Sequence, residues 1–413
     1  MEIVLPYGKS EIILTFPKNL KIELLERQRG NFPRMDEKEV KEELEKAFKE
    51  LHVSGKTVAV AIPDQTRPNI SKDLLPPLVN ILSRKKAKEI RICVGTGLHR
   101  SPSKEEITEL IPIKSREIKI LVHNADKRET LTFVGKTSFN TPVWIMKYFV
   151  ESDLKIVLSL VEEHQFAGFS GGAKGVAIGL GGRETVSKNH SKLASPFAKI
   201  GVIKGNPVRE EIDEIGNMVG LDLLINAVTN ERKEIIKLFI GSHPESHRKA
   251  CHFVKDISGM PIKKLYSAVI VSPGGYPRDI DLYQSQKALV VAQEFCKSGG
   301  KILLLAECSN GFGDEGGYVQ ILEKASSPED VIKNFDFSNF KAGPHKAFLL
   351  ARTLTKCKVF ILSSLPGEKL RKMFFHPLEN TREVLKIVSS EKEIAVIPNA
   401  SQIIPYKIYK LGG

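Results

Sequence analysis

The sequence predicts an α/β protein built as two α/β domains with mostly parallel sheets and an active-site cleft between them. Three observations carry that prediction. Apolar runs rich in Val and Ile alternate with amphipathic stretches, as parallel strands buried on both faces require. The alternation runs twice, with a break near Ser258-Gly259-Met260-Pro261. The length, 413 residues, suits two domains of ordinary size.

The elements follow in order. EIVLPYGKSEIILTF reads as a hairpin turning at YGKS. A charged amphipathic helix follows near Glu37–Leu51. KTVAVAIPD is a strand, then a helix covers Lys72–Ser83. EIRICVGTG is a strand, then a helix lies near Lys104–Leu110. EIKILVH and LKIVLSLV complete the first series of strands. The second series starts at SAVIVSPGG, continues with a helix over Asp281–Lys297, and adds the strands KILLLAEC, KVFILSSL and IAVIPNA. The expected domains are therefore 1–258 and 262–413, with helix Ser246–Ile257 as the hinge. Whether the tail after residue 400 returns to the first domain is open.

Composition narrows the classes. The balance of 41% hydrophobic and 27% charged residues is that of a globular protein. No apolar run is long enough to span a bilayer, and the N-terminus lacks a signal-peptide pattern. A cytoplasmic enzyme with no membrane partner is expected. Five scattered cysteines with no CxxC pair argue against disulfides or a zinc ribbon. The net charge of +13 comes from evenly spread lysines rather than a basic run, so a small anionic ligand is favoured over nucleic acid. The Lys and Glu enrichment also fits a thermophile.

Ligands of open α/β sheets bind beyond the carboxyl ends of the strands. Four such ends carry polar groups here: PDQTRP, GTGLHR, EEHQFAGFSGGAKG and SPGGYPRDIDLYQSQK. In GFSGGAKG the glycines allow close backbone approach to an anion. The segment is not a phosphate loop of the GxxxxGK[ST] type. Ala173 precedes Lys174, and Gly175 stands where the magnesium-binding hydroxyl belongs. A plain glycine-rich turn with a surface lysine is the competing reading. His99, His164 and His190 lie in glycine-rich or polar loops, where two could pair as acid and base near neutral pH. Arg67 has the fork for a carboxylate. Asp64 suits a ribose hydroxyl or a turn cap. Gln284 and Lys287, three apart, share one face near a helix start.

Taken together and in order, PDQTRP, GTGLHR, EEHQFAGFSGGAKG, KNH and LYQSQK resemble the nickel-dependent lactate racemase family over most of the chain. The step of ten residues from His164 to Lys174 and of sixteen from Lys174 to His190 also fit it. The resemblance implies a racemase or epimerase acting at carbon 2 of a 2-hydroxy acid by reversible hydride transfer. It implies a nickel-pincer nucleotide, pyridinium-3-thioamide-5-thiocarboxylic acid mononucleotide, covalently on Lys174. His190 would ligate the nickel, and a soft sulfur-plus-imidazole set suits nickel(II). His99 and His164 would be the acid/base pair. Ser170, Gly171 and Gly172 would cradle the cofactor phosphate, with Asp64 and Tyr283 as further cofactor contacts. Arg67, Gln284 and Lys287 would anchor substrate. Other enzymes would have to make and load the cofactor.

The family's second-domain pocket tryptophan has no counterpart, since the one tryptophan is Trp144; Phe348 and Phe374 are candidate replacements. The substrate is accordingly lactate or a larger 2-hydroxy acid such as a sugar acid, malate or an aryl lactate. The alternative is an NAD- or ATP-dependent enzyme acting on a small carboxylic acid. The absence of GxGxxG after a first strand counts against it. Oligomeric state is not legible.

Overall fold

The structure, a computed structural model, describes residues 1–26, 32–113, 118–313, 317–337, 340 and 343–407. The chain forms two compact units, one of residues 30–256 and one that joins 1–29 to 257–413.

The 30–256 unit is built on a six-stranded sheet. Its order is Ile235–Gly241, Leu223–Thr229, Leu154–Leu160, Thr57–Pro63, Glu89–Gly95, Ile118–Val122. All neighbours are parallel except the first pair, an antiparallel edge. EIKILVH is described from Ile118; Glu117 lies outside the described residues. Val58, Val60, Ile62, Ile90, Ile92 and Ile156 are buried with Leu74, Leu78 and Leu82 of helix Ser71–Arg84. Such continuous apolar strands need cover on both faces. Helix Lys104–Leu110 starts where expected because Ser103 and Glu106 form a capping box.

Thr57–Pro63 is the first strand of this sheet in the chain. The next two, Glu89–Gly95 and Ile118–Val122, are added on one side of it, and Leu154–Leu160 on the other. The order therefore reverses between Thr57–Pro63 and Leu154–Leu160, which is where a doubly wound sheet opens a crevice at its carboxyl ends.

The other unit repeats the plan. Its sheet runs His376–Leu378, Lys358–Leu362, Cys296–Leu305, Tyr266–Val271, Glu393–Ile397, Lys21–Leu24, all parallel. The order reverses between Tyr266–Val271 and Glu393–Ile397.

The last strand is where the structure departs from the expected domain limits. Lys21–Leu24 hydrogen-bonds alongside Glu393–Ile397, with Lys21 opposite Glu393. Ile3, Leu5, Leu14 and Phe16 of the hairpin are buried with Ala268, Ile270 and Leu303. The hairpin and strand of residues 2–24 thus belong with the C-terminal half. The tail also stays there: Ile404–Lys407 pairs with Gly259–Ile262, the segment read as a break. Helix Glu245–Ser258 carries the chain across the boundary.

Candidate active site

Three neighbouring strands of the 30–256 sheet end in the expected polar segments. Thr57–Pro63 leads to Asp64–Arg67, Glu89–Gly95 to His99, and Leu154–Leu160 to His164 and Lys174. Six of the expected site residues are therefore on one edge of one sheet at its switch point, counting Asp64, Arg67, His99, His164, Lys174 and His190, whose charge neighbourhoods overlap.

Asp64, expected as a cofactor contact or a turn cap, has its carboxylate engaged within the protein. Its Oδ2 lies 2.8 Å from His99 Nδ1, and its Oδ1 accepts from the Thr66 hydroxyl at 2.6 Å. The carboxylate is 3% exposed and the imidazole 47%. Burial pushes the Asp64 carboxyl up, but hydrogen bonds from His99 and Thr66 and the nearby Arg67 charge outweigh it, so the net shift is downward. An ionised carboxylate only accepts. His99 therefore donates from Nδ1, and the neutral ring keeps its lone pair on Nε2.

His164 has the opposite tautomer. The Ala167 backbone N–H donates to its Nδ1 at 3.1 Å, which puts the proton of a neutral ring on Nε2. Burial first, then the positive charges of Lys174, Arg67, His190 and Arg209, hold His164 well below the usual histidine range. One ring thus presents a lone pair at Nε2 and the other an N–H.

His190 sits at the end of helix Arg183–Ser191, next to the buried Asn189. The Asn189 amide nitrogen donates to Glu211 Oε2 at 2.9 Å and to the Val208 carbonyl at 3.1 Å. Its Oδ1 must then be the atom 3.2 Å from His190 Nδ1. An oxygen acceptor there makes Nδ1 the donor and leaves the ring's lone pair on Nε2. Burial and then Lys174 push the imidazole down to about 3, so it is neutral. Phe166 stands edge-on to both His164 and His190, at 4.6 and 5.2 Å between ring centres.

Lys174 opens the short helix Lys174–Ala177. Burial, then Arg67 and Arg209, push its amine down to about 7 against the pull of Asp64. The glycine loop before it is shaped by its own unit. Gly171 and Gly172 take positive φ, and a Cβ at Gly172 would lie 2.6 Å from the His247 ring. The Gly172 N–H donates to Ser159 Oγ and Asn226 Oδ1, both at 3.1 Å. The Ser170 hydroxyl donates to the Leu160 carbonyl and accepts from the Glu162 N–H. Those groups, expected at a phosphate, are engaged within the protein. The glycines let the loop pack tightly enough to seat Lys174.

Several residues that hold this site were not singled out from the sequence. Arg209, fully buried, donates to the carbonyls of Ala167, Phe169 and Gly171 and pairs with Asp213 at 3.6 Å. The Thr137 hydroxyl and the Lys192 ammonium bind Glu211, behind Asn189. Gln65 carries both amide atoms buried with no partner among the described residues. A buried amide left so costs about 1–3 kcal/mol, which a polar ligand group would recover. PDQTRP at a strand end was the only signal for it.

In the other unit, Tyr283, Gln284 and Lys287 fall in the first turns of helix Leu282–Phe295, beyond the carboxyl end of Tyr266–Val271. Asp281 caps the helix by accepting from the Gln284 N–H at 2.7 Å, and Lys287 Nζ donates to Gln284 Oε1 at 2.7 Å. Phe348 is buried against Phe335 and Phe337.

The sequence carries two family signatures: residues 7–201 match the lactate racemase N-terminal domain and residues 262–404 the lactate racemase C-terminal domain. It is 30% identical to the lactate racemase of Thermoanaerobacterium thermosaccharolyticum, over 97% of this chain and 98% of that protein. The chain belongs to the lactate racemase family. The lactate racemase of Lactiplantibacillus plantarum is 31% identical over 77% of this chain and 76% of that one. The structure of the T. thermosaccharolyticum lactate racemase apoprotein superposes with a TM-score of 0.88, covering 98% of this chain and all of that one at 28% identity. The two proteins thus share one fold. A Thermotoga maritima protein, 19% identical with a TM-score of 0.66, shows the same fold.

Proposed function

We propose that the protein racemises a 2-hydroxy acid at carbon 2, using His99 and His164 as the proton-transfer pair and a nickel-pincer nucleotide tethered to Lys174. Family membership makes the chain an isomerase of the racemase class, and its curated relatives are lactate racemases. Lactate is accordingly the reference substrate. The observation that carries the reading is the pair of opposed tautomers, His99 with a lone pair on Nε2 and His164 with an N–H there.

The residues fit the proposed group. Among the described residues no three His, Cys, Asp or Glu side chains gather to hold a metal. A metal at this site would depend on ligands brought by a bound group, with His190 adding a neutral imidazole. An amine pushed down to about 7 is substantially unprotonated near neutral pH, as a nucleophilic lysine must be to form a covalent tether. When bound, the group supplies reversible hydride uptake at carbon 2.

The chain's own residues do the rest. His99 Nε2 takes the hydroxyl proton, and Asp64 steadies the resulting imidazolium. When the opposite face is rebuilt, His164 would act from its protonated form, giving a proton to the new hydroxyl oxygen and reverting to the neutral ring while His99 releases its proton to solvent; in the reverse direction each ring takes the other's task. Each transfer is worth about 10²–10⁴ in rate. Arg67 is assigned the substrate carboxylate, and Gln284 and Lys287 further substrate contacts. Tyr283 is assigned to the cofactor side. Five free, buried cysteines support a reducing, cytoplasmic setting, in which separate enzymes supply the cofactor.

The test is intact-protein mass and metal content after co-expression with cofactor-making enzymes and nickel. We expect a covalent increment that is absent in Lys174→Ala, with one nickel per chain. An unmodified, nickel-free chain from a host that loads a known family member in parallel would refute the proposal.

A further inference from the structure

Two cysteines meet at the amino edge of the sheet that contains Tyr266–Val271. Cys296 begins strand Cys296–Leu305, and Cys357 immediately precedes strand Lys358–Leu362. These strands and Tyr266–Val271 run parallel, so both cysteines sit where strands start. Gln284 and Lys287 lie beyond the opposite, carboxyl end. From Lys301 to Leu305 alone a strand advances roughly 13 Å, at about 3.3 Å per residue.

A bulge brings the two thiols together. Tyr266 faces Cys296 and Ala268 faces Lys301, so two steps on one strand match five on the other. The surplus is taken up within Lys297, Ser298, Gly299 and Gly300, and residues 297–299 are exposed. Gly300 makes room for sulfur. A Cβ there would lie 2.8 Å from Cys296 Sγ, so the thiol fills the place of a side chain at residue 300. Lys301 pairs with Lys358, which sets residue 300 beside Cys357. The Cys296 thiol accordingly hydrogen-bonds to the Cys357 sulfur. Each thiol also reaches a carbonyl of the bulge, Cys296 that of Lys301 and Cys357 that of Lys297, both at 3.6 Å.

The pair is not equivalent in charge. Burial pushes the thiols of Cys93, Cys251 and Cys308 up to about 12, the behaviour of small buried hydrophobes. Cys296 also rises, first through its bond to Cys357. Of the five thiols Cys357 is the one shifted downward. The hydrogen bond from Cys296 is the main cause, and the Lys356 ammonium adds to it against the effect of burial. Lys356 is held there by donating to the Gln293 carbonyl. A thiolate-favouring sulfur with a second thiol in contact is the arrangement of a redox-active pair.

We propose that Cys296 and Cys357 form a reversible disulfide on exposure to hydrogen peroxide, with Cys357 attacking and Cys296 resolving. The Cys357 thiolate attacks one peroxide oxygen. An S–O bond forms, the O–O bond breaks, and hydroxide leaves to be protonated to water. Cys296 then gives up its proton and attacks the Cys357 sulfenic acid. The S–S bond forms, the S–O bond breaks, and the second hydroxide leaves with that proton as water. Two thiols are oxidised and one peroxide is reduced to two waters. The exposed bulge is the route for so small an oxidant. The bond would tie the end of helix His345–Lys356 to the start of strand Cys296–Leu305, and it is independent of the racemase chemistry.

The test uses the full chain, reduced, treated with hydrogen peroxide, then denatured and alkylated with N-ethylmaleimide. We expect two of the five thiols to escape alkylation and a tryptic map to show Cys296 and Cys357 cross-linked. Dithiothreitol should restore both. Their loss should be roughly tenfold or more faster than that of Cys93 or Cys251 in the same sample. The oxidised chain should melt higher, because the bond closes a loop of about 60 residues in the unfolded state. In Cys296→Ser nothing resolves the intermediate, so dimedone should label Cys357. In Cys357→Ser it should leave Cys296 unlabelled. Five alkylated thiols after peroxide, a cross-link between any other cysteines, or Cys357 carried to sulfinic acid without a cross-link overturns the site. Dimedone labelling of Cys296 as fast as that of Cys357 overturns the order of attack.

Discussion

The two units place basic side chains at the same topological position, and they treat them differently. At the switch point of the 30–256 sheet, burial and crowding of like charges convert bases into neutral groups. Lys174 drops to about 7 and His190 to about 3, and a hydrogen bond selects one tautomer of each imidazole. In the other unit Lys287 is held by Gln284, and Lys346 is enclosed against the Tyr283 ring with no such polar partner among the described residues. The comparison separates residues set up to react from residues set up to bind. A reacting group needs a lone pair at a chosen atom, which takes a specific partner behind it. A binding group needs the ligand itself as partner.

This contrast breaks most readily at Asp64. Asp64→Asn preserves shape but removes the acceptor that fixes His99, and the amide can equally well donate to Nδ1. We expect kcat to fall about 10²-fold or more, with KM little changed, as when a base is held in the wrong tautomer. A loss confined to KM would place Asp64 at the ligand instead. The next effect is at Asn189, which touches neither ring Nε2 nor any proposed ligand. Asn189→Leu should weaken nickel retention about 10–100-fold, the usual cost of losing the group behind a metal-bound imidazole. In the metal-free protein, long-range ¹⁵N–¹H spectra should show His190 changing from the Nδ1–H tautomer to a mixture. An unchanged Nδ1–H signal would mean that another group sets it.

The smallest effect sharpens the comparison through pH. The Lys174 amine is lowered in the folded state, so between about pH 7 and 10 the folded protein has lost a proton that the unfolded chain retains. Its contribution to stability rises with pH across that window and is absent below it. Buried thiols such as Cys93 and Cys251, pushed up to about 12, act in the opposite sense above about pH 8.5. The measurable quantity is therefore the difference between the parent and Lys174→Met in denaturant unfolding. That difference should change in the parent's favour as pH rises from 7 to 10. No change with pH would mean that Lys174 titrates normally.

Much of this was legible in the sequence, for reasons of pattern. Val- and Ile-rich runs such as TVAVAIP show period and burial together, and the polar groups that follow them mark the ligand edge. The pairing of His99 with Asp64 was not legible, because 35 residues separate them and only the adjacency of two strands brings them together. Arg209 reads as an ordinary charge on helix Pro207–Val219, yet its side chain is spent on loop carbonyls about 40 residues earlier. Lys346, in HKAFLLAR, looks like the polar side of an amphipathic helix. The glycines do make a close approach, and the neighbour of Gly172 within the protein is the His247 ring, which no sequence spacing announces.

The strand Lys21–Leu24 has a consequence for how the chain comes to exist. Its neighbour begins at Glu393, some 370 residues later. At about 5–20 residues per second, a ribosome needs roughly 20–80 s to supply that neighbour. Throughout this interval the N-terminal hairpin has been made, while the edge it joins has not. The 30–256 segment, continuous in sequence, can finish its own sheet meanwhile. Completion of the other unit waits for the end of translation, and trimming the first 25 residues of the nascent chain would injure the part that is made last.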